Sequence, residues 1–200
     1  MLFRMGDFYE TFDEDAVVAS KILGITLTKR SNGAASSVPL AGFPYHSLDQ
    51  YLYKLLNAGH RVAICEQVED PKKSKGIVKR DVVEVLSPGT AIADGYLDKK
   101  KNNFFASLFI DKDNFGISII DYSTGEFQCG EFKLCDINSI FDQFLVSEII
   151  IPDNQFSLIP SIFNTKKFFI TKIPDYVINK NMAEDLLTSQ FKTKSLKGFG

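Results

Sequence analysis

Apolar positions in the first half of the chain change between helical and extended spacing. The clearest predicted helix follows Ser47 and ends at Gly59, and a shorter one begins with Asp13 as its N-cap and ends at Gly24. The helix after Ser47 has apolar residues at i, i+3, i+4, i+7 and i+8, namely Leu48, Tyr51, Leu52, Leu55 and Leu56. Strands are predicted over 1–5, 8–12, 25–28, 61–67 and 77–86.

A polar, apolar-poor segment, Lys99–Asn103, separates this region from a second patterned one. It predicts a linker at 99–103 between domains at 1–98 and 104–200. In the second half, strands are predicted over 104–110, 116–122, 126–132, 148–151 and 168–171, and helices over 136–145 and 181–191. Strands covered by helices in both halves predict two successive α/β domains.

Charge excludes a generic basic nucleic-acid binder, because the net charge is −2. Residues 1–98 hold 11 Lys and Arg against 13 Asp and Glu, and residues 99–200 hold 12 against 12. Any DNA contact must therefore rest on local patches or on shape. No apolar run approaches the roughly 18 residues of a membrane span. Charged residues at the start of the chain also do not fit a secretory signal.

The cysteines indicate a reducing compartment. Cys65, Cys129 and Cys135 are odd in number and lack C-x-x-C spacing. This pattern predicts three reduced, mostly buried thiols in a cytoplasmic protein.

Phe8 and Glu10 form the most informative pair in the sequence. They lie two positions apart on a predicted strand, so both side chains point to the same side. An aromatic ring beside a carboxylate suits insertion into a base stack, where the ring unstacks a step and the carboxylate meets a displaced base. Taken alone the pair is weak, because a Phe is usually core and a Glu is usually solvated.

The surrounding segments are similar to a known family. Five of them, in order, resemble the mismatch-recognition domain of the MutS family: Phe3–Glu10, Leu27–Arg30, Pro39–His46, Val62–Gln67 and Val85–Thr90. A sixth, Asp121–Phe127, is similar to a strand and turn of that family's connector domain, which resembles a ribonuclease H fold. The resemblance therefore implies a mismatch-recognition domain followed by a connector domain.

The resemblance also implies roles for individual residues. Phe8 is expected to be the stacking wedge and Glu10 the group that hydrogen-bonds the mispaired base. A mispair or unpaired base weakens stacking, so a kink there costs less than at a paired step. The region Lys72–Arg80 holds five basic residues and no acid, which suits phosphate contact. The other expected DNA-binding residues are Arg4, Met5, Lys29, Arg30, Leu40 and Arg80.

Further expectations concern partners and cofactors. The sequence has no G-x-x-x-x-G-K-[ST] loop, so no catalysis and no cofactor of its own is expected. In the family, ATP and Mg²⁺ bind further along the chain, a homodimer clasps mismatched DNA, and a downstream MutL-like repair protein docks on the connector. A cytoplasmic, nucleoid-associated protein is implied.

Two alternatives stay open at this point. Asp111 and Asp121 end adjacent predicted strands, so a metal-dependent nuclease site in the second domain must be weighed against turn-forming roles. The whole piece could also be a protein-interaction module of a repair complex. Binding to a G·T mispair and cleavage of labelled DNA with a divalent metal distinguish these hypotheses.

Overall fold

The structure is a computed structural model that describes residues 1–30, 37–69, 76, 78–90, 102–162 and 168–199. It contains two mixed sheets, one of six strands and one of five. Each sheet has its own buried core, so the two predicted α/β domains are confirmed. None of the helices within these ranges is long and apolar enough to cross a membrane.

The first domain is a twisted sheet whose buried face is covered by two helices. The elements are β1 (Leu2–Met5), β2 (Phe8–Phe12), α1 (Asp13–Leu23), β3 (Thr28–Arg30), β4 (Val38–Pro44), a 3-10 turn (Tyr45–Ser47), α2 (Leu48–Asn57), β5 (Val62–Gln67) and β6 (Arg80–Leu86). The strand order is β3-β4-β2-β1-β5-β6. Among these described strands, β1 and β5 pair in parallel and the other neighbours pair antiparallel.

The core of this domain follows the predicted apolar spacing. Helix α2 buries Leu52, Leu55 and Leu56 on one side, as its sequence pattern requires. They pack with alternate residues of the sheet, including Tyr9 and Phe43. The opposite side of β2 therefore carries Phe8 and Glu10 away from the helices.

Three local predictions for this domain differ from the structure. The N-cap of α1 is Phe12 and not Asp13, which is the first helical residue and has φ +52°. Because β2 ends where α1 begins, the backbone of Asp13 takes the change of direction. The strand predicted over 25–28 lies instead at Thr28–Arg30, where cross-strand pairing with β4 decides its position. The strand predicted from residue 77 starts at Arg80, and residue 77 is outside the described ranges.

Strand β4 was not predicted. Its sequence contains Pro39, Gly42 and Pro44, which disfavour strands when a segment stands alone. In the fold it lies between β2 and β3 and pairs antiparallel with both. Long-range pairing therefore overrides the local propensity of this segment.

The second domain is built on an antiparallel meander extended by two parallel strands. The elements are β7 (Phe104–Asp111), β8 (Asn114–Asp121), β9 (Glu126–Lys133), a 3-10 turn (Leu134–Asp136), α3 (Ile137–Gln143), β10 (Val146–Pro152), a 3-10 turn (Asp153–Leu158), α4 (Ile159–Ile162), β11 (Phe169–Ile173), a 3-10 turn (Asp175–Val177), α5 (Lys180–Gln190) and a 3-10 turn (Leu196–Gly198). The strand order is β11-β10-β7-β8-β9. The predicted strands and the two predicted helices are present, and their ends differ from the predicted ones by at most two residues.

The cysteines correct one prediction. All three are free thiols, and Cys65 is buried as expected. Cys129 and Cys135 are exposed, because they lie on the edge strand β9 and in the 3-10 turn after it. The prediction of mostly buried thiols was therefore wrong.

Candidate nucleic-acid interface

Phe8 lies at the turn end of the β1–β2 hairpin. It pairs with Met5 across a two-residue turn of Gly6 and Asp7. Gly6 has φ +60°, and a glycine with positive φ at the first central position suits the twist of a hairpin. The Phe8 side chain is 47% exposed. A large apolar ring is thus held in solvent by a tight, well-paired turn.

Glu10 lies beside Phe8 on the same side of β2, and the strand next to it leaves room for its side chain. Glu10 pairs with Gly42 of β4. A side-chain carbon at Gly42 would lie 3.3 Å from the Glu10 Cγ and 2.9 Å from the Tyr9 backbone oxygen. Glycine therefore lets β4 approach β2 closely while the Glu10 side chain lies over the gap.

Arg30 is the cationic neighbour of this pair. Its Nη1 donates to Glu10 Oε2 at 3.5 Å, across β4. Arg30 is exposed and Glu10 is half-buried. Such an ion pair contributes at most about 1 kcal/mol, so Arg30 can exchange Glu10 for another anion. Phe8, Glu10 and Arg30 together combine a ring, a carboxylate and a cation on one surface, here called the wedge face.

Arg4 does not lie on the wedge face. It pairs with Tyr9, so its side chain leaves the opposite side of the sheet from Phe8. Its guanidinium stacks 3.6 Å from the ring centroid of Tyr45, and its Nε donates to the Gly6 oxygen at 2.6 Å. The Tyr45 amide in turn donates to the Asp7 oxygen at 2.9 Å. These contacts brace the turn that carries Phe8, and a DNA contact by Arg4 stays a prediction.

Arg80 also has partners within the protein. Its Nε donates to the Arg4 oxygen at 2.9 Å and its Nη1 to the Val78 oxygen at 3.0 Å. These bonds tie the start of β6 to β1. They leave part of the guanidinium for another acceptor, so the predicted phosphate contact is neither supported nor contradicted by them.

The remaining predicted DNA-binding residues fall into two groups. Met5 and Leu40 are half-buried and lie on the same side of the sheet as the wedge face, where Met5 pairs with Phe8 and Leu40 with Phe12. Lys29 is exposed but points to the other side of β3 from Arg30. Most of the basic stretch Lys72–Arg80 lies outside the described residues.

Tyr9 anchors β2 from beneath, a role the sequence did not reveal. It is 4% exposed and its hydroxyl donates to the Glu66 carboxylate of β5. Burial raises the pKa of the Tyr9 hydroxyl well above its ordinary value, and the hydrogen bond to Glu66 raises it further. No local sequence pattern indicates this role, because Glu66 lies 57 positions away from Tyr9.

This anchor predicts an alkaline limit to the stability of the first domain. Above the ordinary tyrosine pKa of about 10, the unfolded chain releases the Tyr9 proton while the folded chain keeps it. Stability should therefore be unchanged by this group below that pH and fall as the pH rises above it. Urea unfolding at stepped pH values measures the effect. In Tyr9→Phe the free energy of unfolding should fall less steeply as the pH rises above about 10. The same dependence on pH in both proteins would contradict the assignment.

Asp111 and Asp121 lie at opposite ends of the antiparallel pair β7 and β8, so they do not share one site. Asp111 is exposed, whereas Asp121 is buried and accepts from the Asn103 amide, the Ser123 amide and the Ser123 hydroxyl. Burial by itself raises the pKa of the Asp121 carboxyl, but these hydrogen bonds outweigh it and lower the pKa. No group of three or more His, Cys, Asp or Glu within the described ranges could hold a metal ion. The geometry thus favours the turn-forming role of Asp121.

Comparisons with known proteins agree with the two-domain architecture. MutS domain I matches residues 1–95 and MutS domain II matches residues 103–200. The predicted linker at 99–103 stays a prediction, since residues 99–101 are outside the described ranges.

Similar relatives are described as DNA mismatch repair protein MutS. Those from Phocaeicola vulgatus and Cytophaga hutchinsonii are each 48% identical over all 200 residues of this chain, and so is the one from Porphyromonas gingivalis. The chain spans 23%, 23% and 22% of their respective lengths, which is about a quarter.

Proposed function

This chain belongs to the MutS family, of which it carries domains I and II, and we propose that its first domain binds mispaired or unpaired bases in duplex DNA through Phe8 and Glu10. The observation that carries the proposal is the exposure of Phe8 at a braced hairpin turn, with Glu10 on the same side. An apolar ring of this size gains nothing from water, and it can gain free energy between bases.

In the proposed mechanism the protein distinguishes duplexes by how easily they deform and not by their base sequence. The Phe8 ring enters from the minor groove, separates two stacked base pairs and kinks the duplex. The cost of that kink is lower where a mispair has already weakened stacking. Rigidity of the hairpin supports this role, because a loose ring would lose the free energy gained by stacking. The turn is held by the Arg4–Tyr45 stack and by the hydrogen bond from Tyr45 to Asp7.

Glu10 supplies the second filter in this proposal. Near phosphates its charge is repulsive, which disfavours a fully paired duplex unless a base offers a proton. Against a thymine N–H the ionised carboxylate accepts a hydrogen bond. Arg30 neutralises Glu10 in the free protein and is the cation best placed to turn to a phosphate once Glu10 meets a base. Lys29, which is exposed on the other side of the edge strand β3, and the guanidinium of Arg80 are proposed contacts to the DNA backbone.

Proposals for the whole protein rest on the family alone, because the chain spans about a quarter of its relatives. They are a homodimer that clasps DNA, an ATPase that uses ATP and Mg²⁺, a MutL-like partner for the second domain, and a cytoplasmic, nucleoid-associated location. The two domains in this chain are proposed to be non-catalytic.

Equilibrium binding with and without Glu10 tests the proposed function. Affinity should be higher for a duplex with a G·T mispair or one unpaired base than for its fully paired counterpart. In Glu10→Gln, affinity for the paired duplex should rise about fivefold, since like charges near 4 Å in water repel by about 1 kcal/mol. Discrimination should fall accordingly.

Glu184→Gln is the matched control for this experiment, because it makes the same change of charge on an exposed residue of α5. Its paired-duplex affinity should stay at the wild-type value. Equal affinity of the wild type for all three duplexes would refute the proposal. Cleavage of labelled DNA on addition of Mg²⁺ or Mn²⁺ would favour the nuclease alternative.

A further inference from the structure

The turn that follows β6 contacts the second domain directly. Ser87 and Thr90 close this turn through their hydroxyls, which are 2.7 Å apart. Between them, the Gly89 amide donates to Glu148 Oε2 of β10 at 3.1 Å. The Pro88 oxygen accepts from the Asn103 side-chain amide at 2.8 Å. Within the segment Val85–Thr90, which resembles its family counterpart, Pro88 and Gly89 thus contact the second domain. These contacts, together with those among Arg61, Glu148 and Thr171, are here called the seam between the domains.

Glu148 is the central residue of this seam. It is 1% exposed, although it is an acidic residue on a strand. Its Oε1 accepts from the Thr171 hydroxyl at 2.5 Å and lies 3.9 Å from Arg61 Nη2. Arg61 also donates to the Thr171 hydroxyl at 2.7 Å. A buried carboxylate needs partners for its charge, and here the first domain supplies two of them, the Gly89 amide and Arg61.

Gly89 is required by space at this position. A side-chain carbon there would lie 2.6 Å from Phe105 Cδ2 and 2.7 Å from Glu148 Cβ. Its φ is not in the left-handed region, so the demand comes from the close approach of the two domains and not from backbone conformation. Any larger residue must move the turn away from β7 and β10.

From these contacts we infer that Glu148 is a positioning residue that fixes the orientation of the first domain on the second. Domains joined through a small, polar seam move relative to one another by default. Hydrogen bonds are directional, so a carboxylate that accepts from both domains holds one orientation where apolar contact would permit several. The inferred orientation does not depend on DNA. Its consequence for the placement of Phe8 on a duplex rests on the proposed function.

Spin-label distances between the domains test this inference on the 200-residue chain. One label uses the natural exposed Cys129 on β9, and the other uses Lys21→Cys on the exposed side of α1, in a Cys135→Ser background. Cys65 is buried and stays unlabelled. The wild type should give a single narrow distance distribution.

Variants of the seam should widen this distribution about twofold, because loss of the directional contacts restores free domain motion. The variants are Gly89→Ala, Glu148→Met, which keeps the side-chain length but removes the acceptor, and Arg61→Met. Gly116→Ala is the matched control, since a carbon added there meets nothing within 4 Å. The control should keep the narrow distribution.

Unchanged distributions in folded Gly89→Ala and Glu148→Met would overturn the inference. If circular dichroism shows that either has lost its structure, Arg61→Met decides, because Arg61 is exposed and unnecessary for either core. An unchanged distribution in Arg61→Met then overturns it. These distances are measured without DNA, so the inference holds even if the proposed DNA binding fails. Binding of the same variants to mispaired DNA is measured in a separate experiment.

Discussion

Phe8→Ala is expected to remove most of the preference for a mispaired duplex, while weak, salt-sensitive binding to paired DNA persists. Stacking of a base on an aromatic ring is worth about 1–3 kcal/mol, so the preference should fall roughly 5- to 150-fold. Fold stability should change little, because the ring is 47% exposed and packs only lightly against the sheet. Contacts to phosphates do not involve the ring, so binding to paired DNA keeps its salt dependence.

The measurement is fluorescence anisotropy with paired and G·T duplexes. It is made on this chain and on a chimera in which the chain replaces the matching region of the Phocaeicola vulgatus relative. Phe127→Ala is the control, since Phe127 is 48% exposed but lies on β9 of the second domain. Unaltered discrimination in Phe8→Ala would end the assignment of Phe8 as the wedge.

Phe43→Ala should have the largest effect on stability of the first domain. Phe43 is 2% exposed on β4, and its ring lies 6.0 Å from that of Tyr9 and 4.5 Å from that of Tyr51. Deleting a buried Phe side chain costs about 3–5 kcal/mol, from lost burial and from the cavity that is left. That is a large part of the 5–15 kcal/mol typical of small domains. The same ring supports Tyr9, the residue between Phe8 and Glu10, so a weaker core also loosens the wedge face.

Urea unfolding followed by amide signals in nuclear magnetic resonance separates the two domains in this experiment. Signals from β2 and α2 should disappear at lower urea in Phe43→Ala. Those from β7 and β8 belong to a separate core and should be unaffected. Phe109→Ala provides the comparison, because Phe109 is 43% exposed on β7 and should cost much less. A change below about 1 kcal/mol for Phe43→Ala would show that this core does not support β2 as described.

Rigid support of an exposed ring links these two expectations. The proposed insertion of Phe8 into DNA requires a turn that resists displacement, and that resistance comes from side chains on the buried side of the sheet. Arg4 and Tyr45 hold the turn itself, whereas Tyr9 and Phe43 hold the strand behind it. Substitutions on the side of the sheet opposite the wedge face should therefore reduce the preference for mispaired over paired DNA, although these residues do not contact DNA in the proposed mechanism.

The sequence by itself determined those features that depend on local spacing. The apolar stripe of α2 and the alternation along β7 and β8 specify their elements, because each pattern matches one backbone period. The shared side of Phe8 and Glu10 follows from the same period of two. Five segments of four to eight residues in the first domain were enough to indicate the family.

Only the tertiary structure decided which distant segments meet. Strand β4 forms in spite of its prolines because β2 and β3 supply its hydrogen-bonding partners. Arg4 and Arg30 look alike in sequence, yet the strand register places Arg4 on the same side of the sheet as Tyr9 and Arg30 beside Glu10. Gly89 and Glu148 lie 59 positions apart, and no local pattern marks a carboxylate that will be buried by another domain. Local conformational preferences decide between helix and strand. Which strands pair, which side chains are buried and which side of the sheet they occupy depend on long-range packing, which local sequence patterns do not reveal.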